Sequence, residues 1–314
     1  MQEPYSLPEI QAHHESTIPF MSYEEYTEKF KDVFKFRRED GIIEIRMHSN
    51  DDVASWRPAL TKGIGQILKI VNEDPENEVV ILTGTGDRWL GGVNSDFQKS
   101  FIELEHEHHQ EFCRFTYDDA YHLDVGMLHN IAFNLDIPLI TAMNGWNTSH
   151  TEFAMASDIF ICTPDCEFKD MHFFNSMVPG DGQLLVLQQL LGPRRSSYLA
   201  WTGAGIDAAT ALELGIVDEV VERDKLLDRA WELARMMMSK DRMVRRMTHM
   251  LTRKPWRDAV MNLDNHFTFE FWASTSKGSD NYAGHDRAYW QSKLPKYTNK
   301  YVPEEKEEET GEAQ

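Results

Sequence analysis

Cysteine is scarce in this 314-residue chain, and its three residues, Cys113, Cys162 and Cys166, are an odd number. That argues against a disulfide framework and makes a reducing cytoplasm the expected compartment. Cys162 and Cys166 have a loose metal-ligand spacing, but no second Cys or His pair nearby completes a four-ligand set, so they read as structural thiols. Positive charge is also short. Against 52 Asp and Glu there are 32 Lys and Arg, a formal charge of −20, which argues against nucleic acid or an anionic membrane as partner. No apolar run reaches the length of a membrane span. Glu3, Pro4 and Pro8 stand where a secretory signal needs a basic start and an apolar stretch. The glycines at 84, 86, 91 and 92 are not followed by Lys-Ser/Thr, so they make no P-loop.

What is present is a hydrophobic content of 41%, with 11% aromatic residues, enough for a large globular core. Residues 1–30 are polar and without strong period and read as an N-terminal extension. Residues 31–240 read as an α/β core, 241–298 as a C-terminal helical region, and 299–314 as an acidic disordered tail. Val33 to Phe36 and Ile42 to Met47 flank a turn signal and predict an antiparallel hairpin. Pro58 opens a helix with Leu60, Ile64, Ile67, Leu68 and Val71 on one face. Buried strands are predicted at 78–83, 139–143 and 159–162, with a helical pattern from Ser100 to about Leu135 between the first two. Strand, glycine loop and helix recur, the pattern of an α/β fold. From Gln183 onward the chain reads as largely helical. Glu103, His106, His108 and His109 suggest a metal cluster, but on a helix 106 and 108 point apart, so the stretch reads as a solvated face and no metal is expected.

His172 and Asp181 carry the chemistry. An imidazole takes a proton from water near neutrality when a second group fixes its tautomer and steadies the imidazolium. Asp181, in a Pro-Gly-Asp-Gly turn whose glycines admit special backbone angles, is a candidate for that group. A structural ion pair is the competing reading.

The run from Asn144-Gly145-Trp146 through His150-Thr151-Glu152-Phe153-Ala154-Met155 to Asp158, then Pro179-Gly180-Asp181-Gly182, then Thr202-Gly203 with Ala209 to Val220, resembles the crotonase (enoyl-CoA hydratase/isomerase) superfamily. The likeness covers about residues 35–275. It implies an α/β fold, a crotonase-like spiral of repeated β-β-α units with a C-terminal helical region, and a homotrimer or dimer of trimers. Members acting on coenzyme A thioesters carry Gly-Gly-Gly where this chain has Thr148-Ser149-His150. Small residues there let a thioester carbonyl approach backbone donors at a helix N-terminus, a space that the His150 side chain would occupy. Glu152 falls on the first catalytic Glu of the hydratases and His172 on the second. The same substitutions mark the 6-oxocamphor hydrolase branch of β-diketone hydrolases, which cleave a carbon-carbon bond between two carbonyls without coenzyme A. The chain is similar to that branch at Trp56, His150, His172 with Asp181, and Glu270.

These readings lead to an expected carbon-carbon bond hydrolase acting on a cyclic or bicyclic β-diketone by His-activated water attack and retro-Claisen collapse to a keto acid. No cofactor is expected, and the partner is the small-molecule diketone. His172 with Asp181 supplies the base; His150 and the Trp56 indole N–H are candidate donors to the developing oxyanion and enolate; Glu270 holds His172 or passes protons. Trp146, Glu152, Phe153, Phe173, Phe174 and Gly92 are the candidate substrate-binding residues, with core packing the competing role for the aromatics and a structural role for Glu152. The alternative activity is a coenzyme A thioester hydratase/isomerase, and a third reading is a non-catalytic scaffold.

Overall fold

A computed structural model describes residues 20–93, 107–115, 122–147, 150–173, 177–276 and 296–297. Phe174, residues 103–106 of the His/Glu stretch, residues 1–19 and the acidic tail lie outside the described residues. Of that stretch, Glu107, His108 and His109 are exposed.

Helix α1 (Tyr23–Lys29) opens on a capping box in which the Ser22 side chain accepts from the Glu25 N–H and Glu25 reaches back to the Ser22 N–H. Its Tyr26 is fully buried and donates to Asp74 at 3.2 Å, which docks the helix on the core. The expected hairpin is present as β1 (Phe34–Glu39) and β2 (Ile42–Met47), paired antiparallel. Asp40 and Gly41 both take positive φ, +49° and +82°, the backbone of a two-residue hairpin turn matched to strand twist.

Short β3 (Ser55–Trp56) leads into α2 (Pro58–Glu73), which begins on its proline and buries Leu60, Ile64, Ile67, Leu68 and Val71, as the apolar spacing predicts. Strand β4 (Val79–Gly84) is buried throughout, and β5 (Gly91–Val93) pairs parallel with β3. Helices α3 (His109–Phe115) and α4 (His122–His129), the latter continued by a π turn at Asn130–Asn134, precede β6 (Leu139–Met143). One-turn α5 (Glu152–Met155), β7 (Ile159–Cys162) and β8 (Glu167–Phe168) follow. Helix α6 (Gln183–Thr202) is kinked where Gly192, at φ +73°, meets Pro193. Strand β9 (Ile206–Asp207), helix α7 (Ala208–Leu214), strand β10 (Glu219–Val220) and helix α8 (Arg223–Met238) complete the α/β part. The C-terminal helices are α9 (Arg242–Thr252), α10 (Lys254–Val260) and α11 (Leu263–Ser276).

The main sheet runs β1-β2-β4-β6-β7-β10 and is parallel beyond the first hairpin. Side chains alternate between its faces, as a pleated strand requires. Val79 and Ile81 join Leu226, Ala230 and Trp231 of α8, whereas Val80 and Leu82 join Leu60, Ile64 and Leu68 of α2 in the larger core. Strands β3 and β5, and strands β8 and β9, form two separate small sheets. Among the described residues no helix is long and apolar enough to cross a membrane.

Candidate active site

Four parts of the chain deliver the site: Trp56 on β3, His150 and Glu152 at the start of α5, His172 and Asp181 between β8 and α6, and Glu270 on α11. His150 sits just before α5 with φ +56°, a left-handed conformation that costs a residue with a Cβ about 1–2 kcal/mol. Surrounding contacts hold it there. The Trp89 indole N–H donates to the His150 carbonyl at 3.3 Å, and Thr151 is tied to Gln183 by its N–H (3.2 Å) and hydroxyl (3.0 Å) to the amide oxygen. Gln183 returns a bond from its amide nitrogen to the Thr151 hydroxyl at 2.8 Å, and its own N–H donates to Asp181 at 3.1 Å. One buried amide therefore fixes the His150 turn against the Asp181 turn.

Two glycines in that second turn permit close approach. A Cβ on Gly180 would collide with the His266 carbonyl and with Glu270 of α11, and one on Gly182, at φ +117°, with Leu128. With no side chain at 180, α11 comes near enough for the Gly180 N–H to donate to Glu270 Oε2 at 2.9 Å.

The side chains converge on Asp181. Its Oδ2 lies 3.4 Å from Nε2 of His172 and 3.4 Å from Nδ1 of His150, and is itself buried. His150 Nδ1 is also 3.4 Å from Oε1 of Glu152, and its ring lies flat on the Trp56 indole, centroids 3.6 Å apart and planes 12° from parallel. Glu270 Oε1 stands 3.9 Å from His172 Nε2. The other nitrogen of His172, Nδ1, is 2.7 Å from Oδ1 of Asp170.

Four carboxylates around two imidazoles in a buried space cannot all be comfortably ionised. Burial pushes the Glu152 carboxyl above its usual range despite the nearby His150. Burial alone would also raise Asp181, but the His172 and His150 imidazoles outweigh it and hold that group below its usual range. For His172 burial works against the charge, yet Asp181, Asp170 and Glu270 together hold the imidazole well above its ordinary 6.5. Among the described residues, neither oxygen of Glu152, nor Oδ2 of Asp170 or Asp181, closes a hydrogen bond.

The groups His150/Glu152/Asp181 and His172/Asp181/Glu270 each bring donor atoms within 4.8 Å of one another. Asp181 is common to both, and its Oδ2 already faces two ring nitrogens, so the cluster reads as ring–carboxylate pairing rather than as a ligand set.

Five of the residues expected from the sequence, Trp56, His150, His172, Asp181 and Glu270, are thus brought together, with Glu152 beneath them. Trp56 meets His150 through its ring face. The aromatic candidates separate. Phe153 is fully buried against Trp89, with centroids 5.4 Å apart, and belongs to the core. Trp146 is exposed, donates to Glu167 at 3.3 Å, and lies between Arg88 and Lys169. Phe173, next to His172, is exposed and meets Trp201 edge-on at 5.0 Å. Gly92 lies within β5, beside Val93, the pairing partner of Trp56. Asp170 and Gln183 were not anticipated. The signal for Asp170 is an Asp two residues before a His, the spacing of an Asx turn.

The family profile for enoyl-CoA hydratase/isomerase matches residues 37–293. Carnitinyl-CoA dehydratase of Citrobacter koseri is 31% identical over 182 residues, 56% of this chain and 63% of that protein, so the likeness spans under two thirds of that relative's length. Crotonyl-CoA hydratase of Syntrophomonas wolfei is 28% identical over 59% of this chain and 67% of its own. Among solved structures, a beta-diketone hydrolase from the cyanobacterium Anabaena, bound to (S)-3-oxocyclohexyl acetic acid, superposes with a TM-score of 0.72 at 28% identity, over 80% of this chain and 97% of that one. An enoyl-CoA hydratase/isomerase from Mycobacterium paratuberculosis shares the fold, with a TM-score of 0.67 at 19% identity, over 78% of this chain and 95% of that one. With its parallel sheet, its C-terminal helices and a profile match over most of its length, the chain belongs to the enoyl-CoA hydratase/isomerase family, the crotonase superfamily.

Proposed function

We propose that this protein hydrolyses a carbon-carbon bond in a cyclic or bicyclic β-diketone. The observation that carries the reading is the convergence of two imidazoles, His172 and His150, on one buried carboxylate, Asp181, beside a tryptophan face. In its neutral form His172 takes a proton from water through Nε2, and the hydroxide adds to one carbonyl carbon. His150, in its protonated form, donates from Nε2 to the oxygen on which charge then develops. Collapse of that adduct breaks the bond to the carbon between the two carbonyls, whose electron pair becomes an enolate. Returning the proton from His172 gives a ketone and a carboxylic acid, the net addition of one water. The ligand of the Anabaena hydrolase is a ring ketone with an acetic acid arm, the kind of product that such a cleavage of a bicyclic diketone gives. No cofactor enters these steps.

The second reading, a coenzyme A thioester hydratase/isomerase, is favoured by the names of the sequence relatives and by a glutamate at 152. Weighing against it, Glu152 is fully buried behind a histidine that keeps a glycine-like backbone angle while filling the space with a ring. Offering the protein a panel of cyclic 1,3-diketones and crotonyl-CoA, and following loss of enolate absorbance against hydration of the thioester, separates the two. Diketone loss with formation of a keto acid is the expected result; hydration of crotonyl-CoA without diketone turnover overturns it.

A further inference from the structure

Asp181 faces Nε2 of His172 at 3.4 Å, too far for a charge-assisted hydrogen bond and on the nitrogen that must stay available to water. Something else must fix the ring. We propose that Asp170 is the positioning residue of His172, holding the ring by Nδ1 and so fixing the tautomer in which Nε2 is the proton acceptor.

Three observations carry this. The Nδ1–Oδ1 separation is 2.7 Å, within the short range of bonds to an ionised acceptor. The same oxygen accepts the His172 backbone N–H at 2.9 Å, so main chain and ring are pinned by one atom. Asp170 itself is buried and leaves β8, which is anchored antiparallel to β9. A carboxylate only accepts, so the neutral ring facing it carries its proton on Nδ1 and presents a lone pair at Nε2. That lone pair points toward Asp181 and Glu270, with His150 and Glu152 beyond Asp181. The division of labour follows: Asp170 orients the ring, and Asp181 stands between the two imidazoles on the reacting side.

This deepens the hydrolase reading and rests on it only for the kinetic arm of the test. Asp170→Asn keeps the shape but places an amide against Nδ1, which favours the wrong tautomer. Turnover of a diketone is expected to fall on the order of 100- to 10,000-fold, with KM within about twofold. The acid limb of kcat/KM moves down, because one of the carboxylates holding the proton is gone.

The second arm is histidine nitrogen NMR on the full chain, with His172→Asn used for assignment. The wild type is expected to show a strongly deshielded Nδ1–H on His172 that persists above its titration, is kept in Asp181→Asn and is lost in Asp170→Asn. A neutral His172 protonated on Nε2 overturns the assignment, even where Asp170→Asn fails to fold. So does an Asp170→Asn enzyme with wild-type kcat and pH profile. An Asp170-dependent Nδ1–H in a chain that cleaves no diketone sustains the positioning role and removes the hydrolase reading alone.

Discussion

Two buried histidine–carboxylate clusters lie in this molecule, and they are built on opposite principles. Around Asp158, both carboxylate oxygens close hydrogen bonds. Its oxygens accept from the Leu139 N–H (2.8 Å), His249 Nδ1 (3.0 Å), Thr252 (3.2 Å) and Arg253 (2.9 Å), while His249 Nε2 meets the Leu135 carbonyl at 2.7 Å. A fully buried guanidinium opposes the charge, and despite burial Arg253 and His249 pull the Asp158 carboxyl down to about 2. Around Asp181 there is no guanidinium among the described contacts, and carboxylate oxygens of Glu152, Asp170 and Asp181 are left without hydrogen bonds. The first cluster bolts α9 to the starts of β6 and β7. Unmet acceptors, a left-handed histidine and a proton held on His172 mark the second as a place where structure is strained toward a task.

Removing one partner from each cluster tests that contrast, and the largest effect is expected at His172. His172→Ala lowers diketone turnover by about 100- to 10,000-fold, the range for loss of a general base, in a chain that still folds. Wild-type turnover in that variant removes the assigned base.

Asp158→Asn should do the reverse. Breaking a buried pair by removing one partner costs about 3–5 kcal/mol, read in denaturant unfolding, while turnover per folded molecule stays at the wild-type level. The pH dependence has a definite sign. A carboxyl lowered from 3.8 to about 2 stabilises the fold above 3.8, and that contribution is lost as pH falls through about 2. A variant that keeps its stability but loses its activity breaks the comparison.

At His150 both principles meet. His150→Ala and His150→Gly each lose an oxyanion donor and drop turnover by about 100- to 1000-fold. Glycine relieves the left-handed backbone and alanine does not, so the glycine variant is more stable than the alanine variant by about 1–2 kcal/mol. Equal stabilities would mean that the φ of +56° carries no strain. A smaller shift is expected in the pH profile: carboxylates hold His172 protonated, so the acid limb of kcat/KM lies above 6.5 in the wild type. Asp181→Asn removes the largest of the attractions and brings that limb down. A wild-type limb at or below 6.5 contradicts the electrostatics of the site.

The two clusters were not equally legible in the sequence. The buried strands at 79–84, 139–143 and 159–162 and the stripe on α2 follow directly from apolar runs and period, because whole faces of these elements are buried. The two-residue strands β3, β8 and β9 carry no period to read, and the kink of α6 lies at Gly192-Pro193, within a stretch that the sequence shows only as helical. In the site, His172, Asp181, His150, Trp56 and Glu270 were reachable through resemblance. Gln183 was not, since it acts through bonds to Thr151, 32 residues away, that no spacing rule singles out, and Asp170 left only the two-residue spacing of an Asx turn. Phe153 shows the limit in the other direction: an aromatic beside a site residue in sequence points the opposite way on a one-turn helix, into the core.

Glu152→Gln is expected to have the smallest effect, and it sharpens the comparison most finely. Burial raises the Glu152 carboxyl above 4.5, so the folded protein holds that proton at pH values where the unfolded chain has released it. Stability contributed by the neutral acid therefore declines as pH rises from 4.5 through the raised value, the opposite slope from Asp158. A glutamine copies the neutral acid without the slope, so the variant should match wild type near pH 4.5 and exceed it under alkaline conditions, with diketone turnover within about threefold. An enzyme in which Glu152→Gln abolishes turnover would give that buried carboxyl a chemical part, as the thioester reading requires, and would move the centre of the site from Asp181 to Glu152.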